Sequence, residues 1–336
     1  MMALGLLFAP AQDTASFMAR DVRFASGERL AEVRLHYRTL GRLRQAATGS
    51  NAVLVLHGTG GSGQGFLARN FAGELFGPGQ PLDTSAHFVI IPDNVGHGRS
   101  SKPSDGLRAA FPRYRYADMI ALQHRLVTEG LGIRRLKLIM GTSMGCMHSW
   151  LWAERWPDMM DAIVPLACLP TAITGRNAMW RTLAVDGIRN SPDWNGGNYT
   201  TQPSGLLHAM YFLWFVGTTP HLQQSQGPTR DSADAYIRDW IAQRMRTFDA
   251  NDFMYAVEAS RDYDPSCCLE QIRARVLAIN TADDEINPPE LGVMERLMPR
   301  VRGGRYVLLP VSPRTRGHGS HSWPVLWNDH LVSFMR

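Results

Sequence analysis

Two hydrophobic patterns alternate along the chain, and a third region follows neither. Residues 21–40 (DVRFASGERLAEVRLHYRTL) switch between apolar and polar side chains around a glycine-containing turn, which predicts two antiparallel strands. Short, almost continuous apolar runs follow at Ala52–Leu56, Phe88–Ile91, Leu136–Met140, Ala162–Leu166, Val276–Ile279 and Tyr306–Leu309. Strands of that kind are buried on both faces. Segments with helical spacing lie between several of them, at Tyr116–Glu129, Met144–Arg155 and Pro289–Met298. Strand and helix in alternation predict an α/β fold with a mostly parallel central sheet flanked by helices. From Leu169 to Asp264 no buried strand is visible, and Trp180, Trp194, Trp214, Phe215 and Trp240 sit among helix-compatible runs. This reads as a helical insertion whose aromatics either form its own core or line a pocket as a lid.

The expected organisation is a core of residues 21–168 and 265–336, the insertion at 169–264, and a tail at 1–20. That tail begins MMALGLLFAPAQD, with an apolar centre and an Ala-Pro-Ala but no positively charged start. It reads as an incomplete signal peptide or a disordered terminus, so a cytoplasmic and an exported location both stay open. Composition narrows the class. With 44% hydrophobic and 19% charged residues in 336, the chain can bury a large core. The formal charge of +5 comes from arginines scattered without a run, which excludes a nucleic-acid-binding stripe. No apolar stretch is long enough for a membrane span. Four cysteines without paired spacing argue against a metal site and against a disulfide framework.

The chemistry concentrates at three places. Leu136–Met140 runs straight into Gly141-Thr-Ser-Met-Gly145, and a helix begins at once, the context a nucleophile elbow needs. Ser143 is therefore the expected nucleophile. A serine hydroxyl needs a base, and the base a carboxylate to hold its tautomer. The loop after Val276–Ile279 carries Asp283, Asp284 and Glu285; Asp284 lies four residues before Pro288, an interval that resembles the one in many α/β-hydrolases and on that likeness is preferred over Asp283, and the other is left as a cap or loop hydrogen-bonder. After the last strand, His318 between Gly317 and Gly319 is the expected base, with His321 as its competitor. Oxyanion donors are expected from the N–H of Met144 and, in the glycine-rich loop His57-Gly-Thr-Gly-Gly-Ser-Gly63, from that of Thr59. The loop lacks the Gly-Lys-Ser/Thr ending of a phosphate loop.

These motifs, with Asn94-Val-Gly-His-Gly-Arg-Ser-Ser101, resemble the α/β-hydrolase fold. More narrowly, Trp180-Arg181, the segment Ile188–Tyr199 with Gly205-Leu206, Phe248–Phe253 and Asp262-Tyr-Asp264 are similar to the insertion of homoserine O-acetyltransferases. The resemblance covers Leu35 to the C-terminus. Gly58, Arg181, Tyr199 and His321 are the expected substrate contacts, and the family's dimers imply a homodimer through the insertion helices. Two motifs depart from the family, which usually has Gly-Gly-Ser-Met-Gly-Gly at the elbow and Gly-His-Asp at the base. Here they read Gly141-Thr-Ser-Met-Gly-Cys146 and Gly317-His-Gly319. The family's Asp holds the homoserine amine, and a neutral glycine cannot. The expected activity is thus the hydrolytic branch, a cofactor-free serine esterase on a small-molecule ester, with acyl-CoA-dependent O-acetyl transfer to homoserine or another small alcohol as the alternative.

Overall fold

The computed structural model describes residues 12–336. Eight strands form its central sheet: β1 (Gln12–Arg23), β2 (Arg29–Leu40), β3 (Ala52–Leu56), β4 (Phe88–Pro92), β5 (Leu138–Thr142), β6 (Ala162–Leu166), β7 (Arg275–Thr281) and β8 (Arg305–Leu309). Their spatial order is β1-β2-β4-β3-β5-β6-β7-β8. The strands from β4 to β8 are mutually parallel, while β2 pairs antiparallel with both β1 and β4. Every residue of β3, β4, β5 and β6 is buried, which accounts for their unbroken apolar runs.

Helices cover both faces. In chain order they are α1 (Arg69–Leu75), α2 (Tyr116–Arg125), α3 (Met144–Arg155), then α4 (Gly175–Arg189), α5 (Ser204–Gly217), α6 (Pro220–Gln226), α7 (Arg230–Thr247) and α8 (Ala250–Glu258) between β6 and β7, and finally α9 (Val293–Leu297) and α10 (Asn328–Met335). The period of two sorts the strand side chains. Leu54, Leu56, Ile139 and Ile163 pack on α2 and α3 with Trp150 and Trp152, whereas Val53, Val55, Met140 and Val164 pack on α1 and α10 with Phe71, Trp327 and Leu331. The helices between β6 and β7 have a core of their own, in which Trp180, Ile188, Leu206, Met210, Phe253 and Met254 meet.

Four expectations need correction. Residues 12–20 are not a tail: they form most of β1, paired with β2 from Gln12 opposite Leu40 to Arg23 opposite Arg29. Only Ala19 and Val22 of β1 are buried, so this edge strand is held by backbone hydrogen bonds and leaves almost no hydrophobic pattern to read. The Ala9-Pro-Ala11 motif lies outside the described residues. The expected helix Pro289–Met298 is interrupted at Gly292, which takes a left-handed conformation at φ 59°. The expected helix Tyr116–Glu129 ends as an α-helix at Arg125 and finishes in a wider π turn, Leu126–Gly130. Lastly, Cys146 and Cys168 are joined in a disulfide, their Cα atoms 5.9 Å apart. The first turn of α3 crosses the exit of β6 there, a proximity that 22 residues of separation do not betray.

The turn from β5 into α3 sets a steric condition that backbone atoms impose. A Cβ on Gly145 would run into the carbonyl of Leu56 on β3, and one on Gly141 into the carbonyl of Gly145. Both obstacles are backbone and neither can rotate away. Gly145→Ala is therefore expected to cost on the order of 3 kcal/mol of stability. Chemical denaturation checks it, and an unchanged midpoint would contradict the steric reading.

Candidate functional site

Ser143 stands between β5 and α3 with φ 54° and ψ −113°, a conformation that L-residues adopt only under constraint. The glycine contacts just described hold it, and its side chain is directed off the sheet edge. Ser143 Oγ lies 2.8 Å from His318 Nε2, and His318 Nδ1 lies 2.9 Å from Asp284 Oδ2. Three side chains from the β5–α3 turn, the loop after β7 and the loop after β8 thus form one hydrogen-bonded line. A carboxylate can only accept, so Asp284 selects the Nδ1–H tautomer and leaves Nε2 free to take the serine proton.

Asp284 is fully buried. Burial alone would raise its carboxyl, but the charge of His318 and hydrogen bonds from His318, Asn287 and the Ile286 N–H outweigh it and hold the group below the ordinary carboxylate range. Asp283 faces elsewhere and accepts from the Thr315 hydroxyl at 2.7 Å, bracing the loop that carries His318. Sequence reasoning missed Asn287. Its Nδ2 donates to Asp284 Oδ2 at 2.9 Å and to the Ala167 carbonyl at 3.1 Å, tying the Asp284 loop to the exit of β6. An Asn three residues after the acid was the available signal.

The glycine-rich loop after β3 passes directly over the serine. A Cβ on Gly58 would come within 3.1 Å of Ser143 Cβ, so any larger residue would press the loop away from the serine by a few tenths of an ångström. His57, quoted above only as the start of the loop, holds its geometry. The Asn94 N–H donates to His57 Nε2 at 3.0 Å, so the ring proton is on Nδ1 and is given to the Gly58 carbonyl at 2.9 Å. Burial holds the ring neutral. Gly61 N–H donates to the same carbonyl. In a trans peptide N–H and C=O point opposite ways, so pinning the Gly58 carbonyl turns the Thr59 N–H away from His57. No protein acceptor takes the N–H of Thr59 or Met144 among the described residues. Farther along, Gly63 N–H donates to Asp93, whose carboxylate pairs with buried Arg38 at 3.1 Å.

Above these groups is a cavity of about 410 Å³ between the sheet edge and the helices that follow β6. Gly58, Thr59, Ser143, Arg181, His318 and His321 line it, with Trp180, Trp214, Trp240 and Phe248. Trp180, Trp240 and Phe248 do both, packing with the insertion's core and lining the cavity, whereas Trp194 packs within the insertion and does not line the cavity. His321 stacks edge-on against His318 and meets the Ser322 hydroxyl through Nδ1, and burial beside His318 depresses it to about 3. Arg181 is buried, its guanidinium bonded to Asn177 Oδ1 and the Ser260 hydroxyl and to no carboxylate. Tyr199 corrects an expectation: it does not line the cavity, because its hydroxyl is used within the insertion, donating to Asp249 and accepting from the Asn251 N–H.

Glu154, Cys267 and Cys268 bring ligand-type atoms within 4.8 Å of one another, and none of the three lines this cavity. Among the described residues no helix is long and apolar enough to cross a membrane.

The Asp284 environment predicts a pH dependence. A carboxyl held below its unfolded value stabilises the fold above about pH 4, the ordinary carboxylate range, and that contribution disappears as pH falls through the folded value. Below about pH 5 the unfolding free-energy gap between the wild type and Asp284→Asn should shrink as the solution becomes more acidic. A gap that widened with acid would contradict this environment.

Comparison with known proteins agrees with this architecture. The family described as alpha/beta hydrolase fold matches residues 51–307. A probable acyltransferase of Methanothermobacter thermautotrophicus is 29% identical over 324 residues, covering 95% of this chain and 96% of that one. The homoserine O-acetyltransferase of Solidesulfovibrio magneticus is 35% identical over 274 residues, 71% of this chain and 67% of its own. In three dimensions the crystal structure of esterase E22 superposes with a TM-score of 0.84 at 19% identity, over 97% of this chain and all of that one. The chain belongs to the α/β-hydrolase family, in its homoserine O-acetyltransferase-like group.

Proposed function

We propose that the protein is a serine esterase that hydrolyses small carboxylic esters through an acyl-enzyme. The observation that carries this reading is the unbroken hydrogen-bond line from Ser143 through His318 to Asp284, opening into the cavity beside two free backbone amides. Ser143 Oγ attacks the ester carbonyl and its proton passes to His318 Nε2. Asp284 keeps the imidazole in register and stabilises the cation that forms. The negative charge on the carbonyl oxygen is met by the N–H groups of Thr59 and Met144, the latter at the N-terminus of α3. Collapse of this intermediate breaks the ester C–O bond, and the alcohol leaves with the proton from His318. Water, deprotonated by His318, then attacks the acyl carbon, and Ser143 is regenerated as the carboxylic acid departs.

Transfer of the acyl group from acyl-CoA to an alcohol is the second reading, favoured by the acyltransferase names of the relatives. Both share the acyl-serine and differ in what accepts it. The cavity lining contains no Asp or Glu to pair with the ammonium of homoserine, and Gly319 follows the base, which favours water. Ser143→Ala should reduce hydrolysis of p-nitrophenyl acetate roughly ten-thousand-fold or more; surviving activity would sink the mechanism. Homoserine added with acetyl-CoA should leave CoA release unaltered. Acceptor-dependent release would instead establish the transferase.

A further inference from the structure

The charge distribution around Ser143 is lopsided. Two guanidiniums, those of Arg181 and Arg244, line the cavity, and no carboxylate does. Arg181 lies deep against the Trp180 ring, with Nε donating to Asn177 and Nη1 to Ser260. Arg244, on α7, is different. Its guanidinium lies 4.8 Å from the Trp240 ring centre and 5.7 Å from that of Phe248, and it makes no hydrogen bond or ion pair among the described residues. The one ionisable group that acts on it is the Tyr236 phenol. Burial depresses its charged form, and among the described residues no carboxylate pairs with it.

Its position is defined by the same rings. Phe248 abuts Gly60 of the glycine-rich loop, so Arg244 stands one aromatic ring away from the segment that carries the Thr59 amide. Arg244 also lines the adjoining groove on the far side of that loop, where Asp249 and Asp252 are found. Neither is available to it. Asp249 accepts from Tyr199, Gln202 and the backbone of α8, and Asp252 accepts from Ser104 and pairs with Lys102. Two aromatic surfaces hold the guanidinium in place before any ligand arrives, and a cation in a partly desolvated cleft attracts anions more strongly than one in open water.

We infer that Arg244 is an anion-recognising residue, and that the substrate carries, away from the reacting carbonyl, a carboxylate or phosphate that this guanidinium binds. The inference rests on the Ser143 reading above and adds to it the chemical class of the substrate. Two parts of an acyl donor could supply the charge. A dicarboxylic monoester would bring it on the acyl side, and a phosphorylated alcohol or thiol on the leaving-group side.

Two matched pairs of substrates separate these sources. The acyl pair is p-nitrophenyl hydrogen succinate against p-nitrophenyl butyrate; the leaving-group pair is acetyl-CoA against S-acetyl-N-acetylcysteamine, a thioester without phosphates. The wild type should prefer the anionic member of one pair, as judged by kcat/KM. In Arg244→Gln that preference should fall roughly tenfold or more, as expected for a lost charge-assisted hydrogen bond, and Arg244→Lys should restore part of it. The pair that responds identifies the source. Thermal midpoints of both variants near that of the wild type would exclude misfolding as the cause, and the within-variant ratio is insensitive to the fraction of active protein. If neither ratio moves, Arg244 only packs against Trp240 and Phe248, and the inference is overturned. Failure of the Ser143 reading would look different: the wild type would neither hydrolyse the neutral esters nor be labelled at Ser143 by a fluorophosphonate.

Discussion

The close approach of three backbones at the β5–α3 turn governs the structure around it. Leu56 at the end of β3, Gly141 at the end of β5 and Gly145 in the first turn of α3 come together with no room for a side chain. That contact bends the chain sharply enough to force Ser143 to positive φ, and a residue so constrained cannot relax back along the strand. The glycine-rich loop begins at the residue after Leu56, so the contact also brings Gly58 over the serine. Ser143 and the candidate amide donors are positioned by one steric event.

A second set of restraints holds the partners of that serine. Asp284 is buried without becoming neutral because each of its oxygens has donors: His318 and Asn287 on one, the Ile286 and Asn287 amides on the other. Asn287 also reaches the Ala167 carbonyl, and the next residue, Cys168, is covalently tied to Cys146 on α3. The loop bearing Asp284 and the helix following Ser143 are therefore linked through two residues of the β6 exit. On the other side, neutral His57 orients the Gly58–Thr59 peptide while Asp93 holds Gly63. Little in this arrangement is left for solvent to reorganise when charge develops on a substrate.

The segment between β6 and β7 contributes the opposite wall and its electrostatics. Trp180, Trp240 and Phe248 join its own core and also face the cavity, and Arg181 and Arg244 stand there without carboxylate partners. An arginine that folds onto aromatic rings rather than onto an acid keeps its full charge available for a ligand.

Local chemistry made much of this legible. Unbroken apolar runs marked the parallel strands because burial on both faces leaves no polar position, and Gly-x-Ser-x-Gly after such a run announced the elbow because no other residue fits there. Asp284 and His318 could be named from loops that follow strands, since such loops must end at one sheet edge. Other features left no local trace. β1 is an exposed edge whose stability is in its ladder with β2, and the Cys146–Cys168 bond joins residues that only the crossing of α3 over β6 brings together. Tyr199 and Arg244 make the same point in opposite directions: a tyrosine in a family-like segment turned inward to Asp249, and an arginine of no motif turned toward the cavity. Residue type and local order fix which side chains can do chemistry and on which elements they ride. Which of those side chains share a space is set in three dimensions, because it depends on how separate elements pack against one another.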